Sequence, residues 1–144
     1  MAALKSPPRR VRLARCVLRF CVVVPVFLAL DSLWLSFSAQ RLYRPAIGHL
    51  MRDGFSLGAA ALFYLLYGFG MVYFVIAPSR NLRHTLARGA SFGLIAYGTY
   101  DLTNQATLRG WPWRVTLADL VWGACVTAVS CAVAYRLMSR SSRD

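Results

Sequence analysis

Three aspartates sit in apolar runs where carboxylates are rare. Asp31 lies in "VLRFCVVVPVFLALDSLWLSF", Asp101 in "YGTYDLTNQATLRGW" and Asp119 in "VTLADLVWGACV". The middle stretch, Tyr97 to Trp111, adds Asn104, Gln105, two tyrosines and three threonines. A charged residue near the centre of an inserted helix costs roughly 2.5–3.5 kcal/mol. Such residues face protein or water and mark functional sites by default. Carboxylates in that setting could act as acid and base, hold a divalent metal, or bind the polar end of an amphiphile.

Helical periodicity groups them. At about 100° per residue, Tyr97, Asp101, Asn104 and Leu108 form one stripe, flanked by Tyr100 and Gln105. Asp119, Trp122, Gly123, Val126 and Ser130 share a face, as do Asp31, Trp34 and Leu35. An Asp-x-x-Trp pair occurs twice, as "DSLW" and "DLVW". The candidate pocket is therefore Asp31, Trp34, Tyr97, Tyr100, Asp101, Asn104, Gln105, Asp119 and Trp122. Arg44, Arg109 and Arg114 are the candidate charge partners. The same residues could instead satisfy one another in an interhelical network. The spans hold no histidine and no Ser-His-Asp or H-E-x-x-H pattern, so no catalytic role is assigned.

The elements that must position these groups are four apolar runs, at about 17–37, 55–76, 89–108 and 115–135. Each is long enough for a helix to cross a core of roughly 30 Å. The expected fold is an all-α integral membrane protein, a four-helix transmembrane bundle over 17–137. A basic N-terminal tail, 1–16, and a C-terminal tail, 138–144, flank it. The first run follows basic residues as a signal peptide would. It is nearer a full span in length, and Phe37 occupies a position where cleavage needs a small residue. An uncleaved first helix with Pro25 as a kink point is expected.

The 144 residues are 58% hydrophobic and 15% charged, with a net charge of +12, which is outside the usual balance of a soluble domain. A basic chain raises nucleic acid as a partner. Here the cations cluster between apolar runs, which points to the lipid bilayer and to no nucleic acid. Cys16, Cys21, Cys125 and Cys131 form no C-x-x-C pair and have no neighbouring histidine. They read as small apolar residues, with no metal, cofactor or disulfide framework implied.

Twelve cations fall on the side of the termini and the 77–88 loop, against five on the other. Both termini are therefore expected in the cytoplasm. On that topology Asp31, Asp101 and Asp119 lie roughly 6, 4 and 9 Å to the outer side of the midplane. Three carboxylates in one half-bilayer need compensation: an outer-loop arginine, a bound cation, or a proton, for which Asp101, the deepest, is favoured. Gly54 and Gly58, and Gly89 and Gly93, have the four-residue spacing of close helix contacts and are expected at helix–helix interfaces within the bundle. The oligomeric state cannot be read from this pattern.

"YGTYDLTNQATLRGWPWRVTLADLVWG", Tyr97 to Gly123, together with "LDSLWL" and "YGFG", resembles the bacterial membrane-protein family known as domain of unknown function 2177. The likeness covers about residues 17–137. It implies a small four-helix protein of the bacterial inner membrane and no particular activity. Members encoded near lipid-modifying enzymes keep membrane-lipid modification among the alternatives. Three functions thus stand open. One is binding or transport of an amphiphilic small molecule through an outer-half polar pocket. Another is an intramembrane enzyme or accessory protein of lipid modification. The third is an assembly protein whose polar cluster only fixes helix packing.

Overall fold

The computed structural model describes residues 9–141, so the outermost parts of both basic tails lie outside the described residues. The described parts of those tails, 9–16 and 138–141, are helical. The elements are α1 (Arg9–Ser38), α2 (Arg44–Ile47), α3 (Leu57–Gly70), α4 (Leu82–Thr107) and α5 (Trp113–Ser141). A π-helical turn, Ala39–Tyr43, joins α1 to α2, and a second, Met71–Ile76, continues α3. The result is an all-helical bundle of four long segments. Its two short turns, 77–81 and 108–112, lie at opposite ends.

Among the described residues, three segments are long and apolar enough to cross a membrane: Leu13–Leu50, Leu57–Ile76 and Trp113–Ser139. Helix α4 is kept off that group by its own polar residues, the stretch from Tyr97 onward. Its threonines show how they are tolerated. Thr99, Thr103 and Thr107 each donate to the carbonyl four residues earlier, at 2.6–2.7 Å, so the exposed hydroxyls are satisfied within the helix. Large apolar side chains such as Leu33, Phe55, Leu57, Leu66, Ile95 and Val121 cover the outside of the bundle, as lipid-facing residues do.

Helical structure runs past the apolar segments. Helix α4 begins seven residues before Gly89, because the Asn81 side chain accepts from the His84 amide at 2.8 Å and caps the first turn. Arg88, in that added stretch, donates twice to the Phe74 carbonyl, at 2.9 and 2.8 Å, within the second π-helical segment. At the other end, helical turns continue from α1 to Leu50. A π-turn inserts one residue relative to an α-helix and so rotates everything after it. That rotation carries Tyr43 back over the bundle.

Helices α4 and α5 pack closest. A Cβ placed on Gly89 would lie 2.7 Å from the Ala128 Cα, and one on Gly93 would collide with the Gly123 carbonyl. Gly123 in turn makes room for the Tyr97 ring. The expected interface at Gly89 and Gly93 is therefore present. The expected one at Gly54 and Gly58 is not, since a Cβ at either would meet nothing within 4 Å. Gly54 falls in the connector and Gly58 in the exposed first turn of α3. The small residues this segment uses are Gly68, against Val24 and Phe20, and Gly70, against Phe92. Val23, Phe27, Met71, Val75, Val126 and Cys131 fill the core between them.

Residues 57–70 pack mainly on α1, whereas 71–76 also touch α4 and α5. The bundle is thus tight toward the chain termini and opens toward the 39–56 connector.

Candidate functional site

Asp31 and Asp119 each anchor a hydrogen-bonded group, and a ring stack joins the two groups. Asp31 accepts from the Tyr64 hydroxyl at 2.8 Å and from Trp122 Nε1 at 3.2 Å, one donor to each oxygen. Asp119 Oδ1 accepts from the Tyr43 hydroxyl, which itself accepts from Trp34 Nε1 at 3.0 Å. The Trp34 and Trp122 rings stack between the two acids, with centroids 4.6 Å apart and planes 10° from parallel. The two Asp-x-x-Trp pairs therefore interlock. Trp122 serves the aspartate of the other pair directly, and Trp34 does so through Tyr43. Because α1 and α5 run antiparallel, each motif offers its tryptophan to the other helix.

A second group closes the α4–α5 turn. Gln105 Nε2 donates to the Trp111 carbonyl at 3.2 Å, and Trp111 Nε1 donates to Thr116 Oγ1 at 3.1 Å. Thr116 Oγ1 donates back to Gln105 Oε1 at 3.4 Å. Gly110, with φ 76°, takes the left-handed turn that brings Trp111 under the helix end.

Asp101 is wholly buried, and neither carboxylate oxygen has a hydrogen-bond partner. Asn104, one turn on, leaves its Nδ2 unpaired as well. The charges of Asp101 and Asp119 lie within Coulombic reach of each other, as do those of Asp119 and Asp31. Arg44, Arg109 and Arg114 point outward and form no ion pair with a described residue.

Beside these groups lies a cavity of about 590 Å³ between the connector-side parts of α1, α3, α4 and α5. Phe63, Tyr67, Ala96, Tyr97, Tyr100 and Val115 are among its walls, and Tyr43, Ile47 and Met51 reach it from the connector. Asp119 supplies its carboxylate: Oδ1 is held by Tyr43, and Oδ2 has no described partner. Tyr67 donates to Thr127 Oγ1 at 2.7 Å, because that threonine's own proton goes to the Gly123 carbonyl. Of the residues singled out from the sequence, Tyr97, Tyr100 and Asp119 line the cavity. Asp31, Trp34 and Trp122 form the hydrogen-bonded wall behind it. Asp101, Asn104 and Gln105 lie toward the α4–α5 turn.

Tyr43 and Tyr64 are essential to this arrangement and were not singled out in the sequence. Tyr64 had a signal: it precedes Tyr67 by three residues, one turn along the same helix. Tyr43 had none in the apolar pattern, because the π-turn that aims it breaks the periodicity.

The family model described as "Predicted membrane protein (DUF2177)" matches residues 16–136. The chain belongs to this family. The match includes most of each of the four long helices and every residue of the two interlocked motifs. No curated protein and no solved structure matches the chain.

Proposed function

We propose that this member of the family takes up an amphiphilic, lipid-like molecule in the cavity beneath the 39–56 connector. One observation carries the reading. An apolar, largely aromatic volume of about 590 Å³ contains a single carboxylate with one oxygen left unused by the protein. Apolar walls with a few convergent polar groups are the usual make-up of a small-molecule site. No arginine or lysine is among the lining residues. A phosphate group would find no counter-charge there, whereas a hydroxyl or protonated amine could donate to Asp119 Oδ2. The buried core from Val23 to Val126 lies beneath the cavity, which supports binding over passage through the bundle.

The membrane setting completes the proposal. All four long segments cross a bacterial inner membrane, with α4 carried by its partners despite its polarity. The termini face the cytoplasm, on the twelve-to-five division of cations. The cavity then opens in the outer half. Reporter fusions at residue 144 and near residue 47 test this orientation, which requires a cytoplasmic signal from the first and an outer one from the second.

Binding is tested on detergent-purified protein with dodecylamine and dodecanol as competitors for a fluorescent long-chain amine. Wild type should bind the probe, and Ala96→Phe, which fills the cavity, should lose it. Asp119→Asn should lose the preference for amine over alcohol. Equal binding by wild type and Ala96→Phe would overturn the reading.

A second reading has its own observation. Both oxygens of Asp31 are satisfied inside the bundle, so that aspartate serves helix packing, as an assembly role would require.

A further inference from the structure

At the end of the bundle opposite the cavity, a crevice of about 660 Å³ runs between α1 and α5. Arg15 and Arg19 stand on its α1 side, four residues apart and so on one helix face. Tyr135 and Ser139 stand on its α5 side with the same spacing, and Val22 and Ile76 form the apolar floor. Arg19 is half-buried, yet neither arginine makes an ion pair or hydrogen bond with any described residue. No acid is near enough to answer them among the described residues. Asp31, the nearest along α1, is twelve residues away, about 18 Å along the axis. The Tyr135 hydroxyl likewise has no described partner. Ser139 already donates to the Tyr135 carbonyl at 2.8 Å and would act only as an acceptor or a contact.

Depth decides what can supply the missing negative charge. Arg19 lies about 12 Å from the midpoint of the first apolar run, just inside a half-core of roughly 15 Å. A guanidinium at that depth extends toward the headgroup layer. No anion among the described residues reaches it, lipid phosphates lie at that depth, and basic pockets between membrane helices bind such headgroups. Planar guanidinium groups suit phosphate in paired hydrogen bonds. Acyl chains of the same molecule would continue over Val22 and Ile76, which a free phosphate could not use.

We infer that this crevice is a binding site for an anionic phospholipid, its phosphate held by Arg15 and Arg19 with a hydrogen bond from Tyr135 and its chains on the apolar floor. The site is separate from the cavity near Asp119 and takes a ligand of opposite polarity.

The test is native mass spectrometry of the full chain, purified with equal amounts of dioleoyl phosphatidylglycerol and dioleoyl phosphatidylcholine. Wild type should retain phosphatidylglycerol preferentially. Arg15→Gln/Arg19→Gln should cut that preference by roughly thirty-fold, from the usual contribution of two interfacial cations. Arg109→Gln/Arg114→Gln removes the same charge from the opposite end and should leave the preference intact. Equal losses in the two double variants would reduce the effect to net charge and overturn the site. Glycerol phosphate added without chains should not displace the retained lipid; displacement at matched concentration would make this a soluble-phosphate site instead. Photoactivatable phosphatidylglycerol offers a readout on wild type alone, free of any folding defect. Label on peptides containing Ile76 or residues 135–139 supports the site, and label confined to other segments overturns it.

Discussion

Trp34 and Trp122 stack with ring centroids 4.6 Å apart, and each indole N–H leads to the aspartate that begins the other's motif. The stack joins the first and last helices of the bundle, which are the most distant in sequence. Its polar ends are satisfied by Tyr64 on one side and Tyr43 on the other. Four aromatic side chains thereby allow two carboxylates to sit in an apolar bundle.

The chain of bonds predicts unequal effects for two similar substitutions. Trp122→Phe keeps an aromatic ring in the stack and removes a direct donor to Asp31. It should destabilise by about 1–3 kcal/mol, the cost of leaving a buried acceptor short of a partner. Trp34→Phe removes a donor to Tyr43 only, and Tyr43 still reaches Asp119, so the loss should be smaller. Thermal unfolding in detergent would rank them, and the opposite order would contradict the assigned donors.

Asp31 offers a coupling test. Tyr64→Phe and Trp122→Phe each leave it one donor, and together they leave it none. The double variant should lose more stability than the two single losses predict, since residues in one hydrogen-bond network do not behave additively. A double-mutant cycle measured by denaturant unfolding gives the coupling directly.

The glycines separate real contacts from mere spacing. Gly93→Leu forces a side chain into the Gly123 carbonyl, and Gly89→Leu forces one into the Ala128 backbone. Each should cost about 1–3 kcal/mol or more, as overpacking does. Gly58→Leu enters open space and should leave the unfolding temperature nearly unchanged.

Asp101 is the least comfortable group in the fold, buried with both oxygens unpaired. The described donor nearest it, Trp111 Nε1, is already committed to Thr116 at 3.1 Å, so Asp101→Leu should be neutral or stabilising by about 1–3 kcal/mol. Lower stability for Asp101→Leu, with Asp101→Asn unaffected, would point to a water held between Asp101 and Asn104.

Much of this was written locally. Helices at the four apolar runs follow from hydropathy and length, because a bilayer leaves an apolar segment few other ways to satisfy its backbone. The three aspartates within apolar runs and the repeated Asp-x-x-Trp pair were visible for the same reason: polar groups stand out against such a background. The α4–α5 contact at Gly89 and Gly93 was also legible, since small residues at that spacing have one main use in a membrane.

What the tertiary structure decided is which of those groups meet. Spacing along one helix says which residues share a face, but not which neighbour that face meets. Asp31, Trp34, Asp119 and Trp122 come together only because α1 and α5 pack antiparallel at matching heights. Asp101 shares a stripe with Asn104 and is buried, yet the donor nearest it, Trp111, bonds to Thr116 instead. Gly54 and Gly58 keep the right spacing with nothing opposite them. Tyr43 depended on a single inserted residue in the Ala39–Tyr43 turn, a backbone rotation that hydropathy does not record and that only packing against α5 can select.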